Sequence, residues 1–202
     1  MKLIETKLAP NPRRVRIFLA EKGVAVRTEE LDLMKGDLKT PEFTAINPMQ
    51  RVPVLILDDG TALSETMAIC RYFEETVPNP PLMGRDAKDK AIVEMWNRRI
   101  ELGLFNHIAS AFRHLHPAMA KNEVPQVAAW GEANKPKALE QLAVVDQQLA
   151  KSAHIAGDSF SVADITALVA IDFMRLARIQ RPPLANLDRW YAAVSARPSA
   201  KA

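Results

Sequence analysis

Pro53 is the residue that most limits what this chain can build. It stands between Val52 and the apolar run of residues 54–57, in the stretch Asn47-Pro48-Met49-Gln50-Arg51-Val52-Pro53. A proline cannot donate to a β ladder, so it belongs at a strand's first residue, at an edge or at a bulge. At the first residue it also pushes Val52 into an extended conformation. If the Val52–Pro53 bond is cis as well, the chain turns sharply and the Val52 N–H and C=O face outward, unpaired. A small extended peptide can pair with such groups as an extra strand. Further on, Leu63-Ser64-Glu65-Thr66 opens a predicted helix. Its free N–H groups and positive dipole end suit a carboxylate. A peptide ligand with both a backbone and a free carboxylate satisfies both features.

Composition removes several classes of function. The 27 Lys and Arg against 24 Asp and Glu leave a net charge of +3, spread along the chain without the basic stripe that nucleic-acid binding needs. The longest apolar stretches, such as residues 167–171, are too short to cross a membrane. An acid at Glu5 interrupts the N-terminus before a signal-peptide core forms. One cysteine, Cys70, excludes an internal disulfide and agrees with a reducing compartment, so a cytoplasmic location is expected. On an apolar helical face it reads as a packing residue. His107, His114, His116 and His154 lack metal-ligand spacing, so no metal is expected.

Composition changes at Pro78-Asn79-Pro80-Pro81, a stiff segment with a linker's character. Three regions follow: residues 1–77, a linker over 78–86, and residues 87–202. In the first, residues 2–8 and 24–33 read as strands, and residues 13–22 as a helix stopped by Gly23. Asn11 before Pro12 reads as that helix's N-cap, and Arg13, Arg14 and Arg16 as a solvated basic face. Asp58-Asp59-Gly60 reads as a hairpin turn. Residues 65–77 read as a helix burying Ala68, Ile69, Tyr72 and Phe73. This is a small α/β unit. After the linker the pattern is helical: residues 87–116 ended by Pro117, residues 126–150 interrupted by Pro136, a helix opened by Phe160-Ser161, and residues 187–196. Ser161 and Asp164 have the spacing of a capping box. Trp96, Trp130 and Trp190 read as core residues.

Arg51-Val52-Pro53, Glu65-Thr66 and Ser161-Val162-Ala163-Asp164, in that order, resemble the cytosolic glutathione S-transferase family, in its bacterial, theta- and nu-like members. The ending Arg197-Pro198-Ser199-Ala200-Lys201 is similar as well. The resemblance covers the whole chain. It implies a thioredoxin-like α/β N-terminal domain that binds glutathione, followed by an all-α domain that shapes the electrophile pocket and part of a homodimer interface. By resemblance, Glu65 takes the γ-glutamyl ammonium of glutathione, Thr66 its carboxylate, and Val52, ahead of Pro53, the cysteinyl backbone. Lys39, Gln50 and Arg51 lie near the glycyl carboxylate. Leu102, Phe105, Phe112 and Met119 would line the acceptor pocket.

The chain departs from that pattern at one place. Many members carry Ser, Cys or Tyr after the first strand to hold the glutathione sulfur as thiolate, and here Ala9 stands in Leu8-Ala9-Pro10-Asn11-Pro12-Arg13. Asn11 is the nearest polar side chain, and its NH₂ can donate to a thiolate. It is the candidate catalytic residue, and Arg13, Arg14 and Arg16, besides forming a solvated face, can add to the hold on a thiolate. The implied activity is conjugation of glutathione, as co-substrate, to an apolar electrophile, a detoxifying transferase reaction. A glutathione-dependent disulfide or peroxide reductase is the alternative that Asn11 keeps open. A non-catalytic glutathione-binding protein is the one that Ala9 keeps open.

Overall fold

The computed structural model describes residues 1–202, which divide into two compact units, residues 1–81 with 201–202, and residues 82–200. The first runs β1 (Lys2–Glu5), α1 (Pro10–Lys22), β2 (Arg27–Glu30), α2 (Pro41–Ile46), β3 (Val54–Ile56), β4 (Ala62–Ser64) and α3 (Thr66–Thr76). The sheet order is β2-β1-β3-β4, with β1 and β2 parallel and the other pairs antiparallel. Strand–helix–strand followed by hairpin–helix is the thioredoxin-like arrangement.

Side-chain alternation explains the two layers. Ile4 and Val54 are register partners on one face, where they pack with Leu38 and Phe43. Leu3 and Leu55, paired on the opposite face, are equally buried, together with Val15 and Phe18 of α1 and Ile69 and Phe73 of α3. α1 ends where Gly23 adopts φ +67, a left-handed stop that a residue without Cβ takes at little cost. β2 is only four residues long and wholly exposed, which is why its alternation is imperfect in the sequence. Leu31 and Leu33, just beyond it, turn back into the core. α2 has no counterpart among the sequence expectations. Its signal is Thr40-Pro41: the Thr40 hydroxyl accepts from the Phe43 N–H at 3.2 Å, and Pro41 occupies the first helical position.

α3 departs from expectation on its outer face. Ala68 is exposed and Tyr72 half-buried, while Ile69, Cys70, Phe73 and Glu74 are buried. Glu74 is neutralised by Lys22 of α1, whose ammonium lies 2.6 Å from it and also donates to the Pro80 carbonyl at 2.6 Å. The buried charge therefore clamps both helices to the proline segment.

The second unit is all helix: α4 (Ala87–Arg98), α5 (Asn106–Leu115), α6 (Ala128–Leu149), α7 (Val162–Phe173) and α8 (Ala185–Ser195). α4 and α5 are continuous through a π-helical stretch, Arg99–Phe105, so the single predicted segment is one path with a widened turn. α5 and α6 come close because Gly131 has no Cβ; one added there would meet the Leu115 side chain at 2.5 Å. Pro136 sits inside α6 on an exposed position, where the carbonyl it deprives of a partner reaches water. No helix is long and apolar enough to cross a membrane.

α7 is the centre of this unit and is buried on all sides. Its capping box forms: Asp164 accepts from the Ser161 N–H at 2.9 Å and the Ser161 hydroxyl at 3.1 Å. The carboxylate also accepts from the Ile155 N–H at 3.1 Å and the Trp190 Nε1–H at 2.7 Å. Asp164→Ala leaves those donors buried without partners. It should destabilise the protein by about 3–5 kcal/mol, lowering the melting temperature by on the order of 10 °C. Thermal unfolding followed by tryptophan fluorescence checks this, and a shift of only one or two degrees would contradict the role given to Asp164.

Candidate functional site

The loop before β3 is braced from within. Asn47, almost wholly buried, donates to the Arg51 carbonyl at 2.8 Å and accepts from the Met49 N–H at 3.1 Å. The brace carries the chain through Gln50, at φ +52, to the Val52–Pro53 bond, which is cis. Pro53 is buried and Val52 half-buried, and neither main-chain group of Val52 enters the β ladders. Gln50 turns its amide to the Thr44 hydroxyl at 3.0 Å. Arg51 is exposed beside it, and Lys39 is exposed on the short 3₁₀ turn Asp37–Lys39 before α2. Asn47, missed as a brace in the sequence, had a recognisable signal, because Asn before Pro favours a local side-chain turn.

The start of α3 carries the strongest local distortion. Glu65 is its N-cap at φ +72 and ψ 123, a region that a residue with a Cβ occupies at a cost of about 1–3 kcal/mol. No side chain caps the helix, and its first turn holds no acid. The leading N–H groups and the dipole end thus keep their capacity for an external carboxylate. Thr66 is buried in this turn and Glu65 is exposed beside it.

The start of α1 differs from the sequence reading in two ways. The helix begins at Pro10, so Ala9 is its N-cap and Asn11 lies inside the first turn without capping it. Pro10 and Pro12 also carry no N–H, and the Arg13 N–H is turned back to the Ala9 carbonyl at 3.4 Å. The free N–H groups of this first turn reduce to the one on Asn11. The basic cluster is not a solvated face either. Arg14 is 2% exposed and Arg16 is half-buried, paired with Glu5 at 2.5 Å. Arg14 donates from Nη1 to Asn11 Oδ1 at 3.2 Å and from Nη2 toward Met67 Sδ at 3.4 Å. One guanidinium therefore ties the first turn of α1, with Asn11, to the first turn of α3, with Glu65 and Thr66.

In the helical unit, Phe105, Phe112 and Phe173 form an aromatic cluster, with ring centres 6.1 Å apart for Phe105–Phe173 and 4.9 Å for Phe112–Phe173. Phe112 also stacks on His116 at 4.8 Å. Leu102 is exposed and Met119 half-buried. Trp96 and Trp190 are core residues as expected, whereas Trp130 is 47% exposed, with Lys137 lying over its ring. His107 meets the fully buried Asn134 through Nδ1 at 2.6 Å.

Two family models match the sequence: the glutathione S-transferase N-terminal domain over residues 9–76 and the C-terminal domain over residues 107–198. Glutathione S-transferase 2 of Saccharomyces cerevisiae is 38% identical over 205 residues, covering 100% of this chain and 88% of the relative. Among solved structures, a glutathione S-transferase domain-containing protein of Marinobacter aquaeolei is 40% identical, with a TM-score of 0.95 and coverage of 98% and 99% of the two chains. Gtt2 of Saccharomyces cerevisiae is 38% identical, with a TM-score of 0.95 over 100% of this chain and 99% of that one. The two domain models match in order along one chain, and full-length relatives agree with it in sequence and in fold. The protein is a member of the glutathione S-transferase family of enzymes.

Proposed function

We propose that this enzyme conjugates glutathione to a small apolar electrophile, with residues 1–77 as the glutathione-binding domain, 78–86 as linker and 87–202 as the helical domain that supplies the acceptor pocket. The observation that carries the reading is the start of α3: an uncapped helix end led by Glu65 at φ +72. Strain of that kind persists where the surroundings fix it for use. Glu65 takes the γ-glutamyl ammonium, and the Thr66 N–H and hydroxyl take the adjoining carboxylate. The main chain of Val52, ahead of Pro53, pairs with the cysteinyl backbone. Exposed Lys39 and Arg51 take the glycyl carboxylate. Gln50, whose NH₂ is engaged by Thr44, offers its remaining oxygen to a ligand donor.

A free thiol has a pKa near 8.5, so about a few per cent is thiolate at pH 7. Asn11 supplies the missing preference for the anion. The glutathione sulfur loses its proton to solvent, attacks an electrophilic carbon and displaces the leaving group, with the protein contributing charge stabilisation and proximity. Phe105, Phe112, Leu102 and Met119 are the acceptor-facing residues in this reading. A glutathione-dependent disulfide or peroxide reductase would use the same thiolate, and Asn11, an amide donor in place of a hydroxyl, is what keeps that second reading in view. Steady-state assays with an aryl halide, a hydroperoxide and a mixed disulfide separate the two. The single cysteine fits a reducing compartment, and we propose the cytoplasm as the location and detoxification as the role.

Two variants at Glu65 separate binding from strain. Glu65→Gln keeps the backbone conformation and removes the charge, so glutathione affinity by calorimetry should fall by about 1–3 kcal/mol. Glu65→Gly relieves the positive φ, so the melting temperature should rise, with a gain of about 1 kcal/mol, while binding is lost. Full affinity in Glu65→Gln would put the ligand elsewhere.

We propose a homodimer as well. Met95, on α4, is 39% exposed, apolar surface that a second copy of the chain would cover. Light scattering at micromolar concentration should report about twice 22.5 kDa; a clean monomer would refute this.

A further inference from the structure

Arg14 is a charged side chain buried to 2% exposure, and its guanidinium meets Asn11 Oδ1 at 3.2 Å. A guanidinium has donors only, whereas a carboxamide has an acceptor end and a donor end. With Arg14 in place, Asn11 can meet it only through oxygen, because the flipped amide would set N–H against N–H at a buried contact. The Nδ2 amine is thereby fixed as the free end. Neither that amine nor the Asn11 main-chain N–H is taken by an acceptor of the chain. Both remain available to acceptors from outside the chain, in the first helical turn that Pro10 and Pro12 have otherwise emptied of donors. The contact from Arg14 Nη2 to Met67 Sδ at 3.4 Å holds the same guanidinium against α3, so it cannot swing away from Asn11 without leaving α3.

We propose that Arg14 is a positioning residue: it locks the Asn11 carboxamide with its NH₂ toward the glutathione sulfur, in place of the hydroxyl that Ala9 lacks. The inference rests on the reading of Asn11 as the sulfur's donor. An amide free to flip would present oxygen to the thiolate part of the time, turning attraction into repulsion. The lock therefore sets the protonation of the sulfur without Arg14 touching it.

The ultraviolet absorbance of the bound thiolate, titrated with pH, reads this directly. In the wild-type protein saturated with glutathione its midpoint should lie below the 8.5 of a free thiol. Arg14→Gln, whose own carbonyl can accept from a flipped amide, should raise the midpoint by about one unit, a tenfold loss of thiolate below it. Arg14→Lys, again donor-only, should recover at least half of that shift. On an Asn11→Ala background, Arg14→Gln should add nothing further. Should Arg14→Gln not fold, Asn11→Asp carries the test. Its carboxylate still pairs with Arg14, so melting should stay at or above wild type, while the thiolate midpoint rises beyond that of Asn11→Ala. Melting below wild type would mean that Arg14 does not hold this side chain, and would overturn the proposal. If Asn11→Ala raises the midpoint and Arg14→Gln does not, the positioning role is wrong and the donor reading stands. Additive shifts would show that Arg14 acts on the sulfur by its charge, also overturning the proposal. If Asn11→Ala leaves the midpoint unmoved, the donor reading fails and the lock fails with it.

Discussion

Asp164 is buried without exposure at the start of α7, and four donors from three parts of the chain converge on its carboxylate. A lone charge so placed would cost several kcal/mol, so the arrangement is stable only while every donor is present. That condition fixes more than a helix end. It holds the segment around Ile155 and the indole of Trp190 on α8 against the same point, and α7 then offers its neighbours an apolar surface all round. The rest of the helical unit, from the widened turn between α4 and α5 to the close approach of α5 and α6 at Gly131, is packing arranged about that fixed axis.

The first unit uses a buried charge of the opposite sign. Arg14 is set between the starts of α1 and α3, and the two helix starts are unlike in chemistry. α3 keeps its leading N–H groups uncapped behind a strained Glu65. α1 has lost most of its own to two prolines and keeps the donors of Asn11. One end suits a carboxylate and the other a single soft anion. In the binding mode proposed above, this division would serve glutathione, which carries its carboxylates at the ends and its sulfur in the middle. Lys22 and Glu74 lock the far ends of the same helices, so the spacing between the two starts is held at both extremities.

Much of this was legible in the sequence for local reasons. Asp59 and Gly60 make a turn whatever surrounds them, Gly23 stops a helix, and Ser161 with Asp164 completes a capping box within four residues. Pro53 at the head of β3 is likewise a local matter, because the missing N–H excludes the alternatives. Two of the errors share a cause. Trp130 has the periodicity of a core residue yet faces outward, and Ala68 lies on the exposed side of α3. Apolar character says a residue can be buried, and only the neighbouring elements decide whether it is.

The sequence by itself determined the order of elements apart from α2, the placement of Glu65 at a helix start and the absence of a hydroxyl at Ala9, since each follows from bonds a residue can or cannot make with its near neighbours. The tertiary structure alone decided what the arginines of α1 do. Arg13-Arg14-Val15-Arg16 reads as a charged, solvated face, yet Arg14 is inside and aimed at Asn11 and Met67. Its partner on α3 lies 53 residues away. Burial of a guanidinium depends on acceptors brought to it from elsewhere in the fold, and no pattern within one helix encodes them.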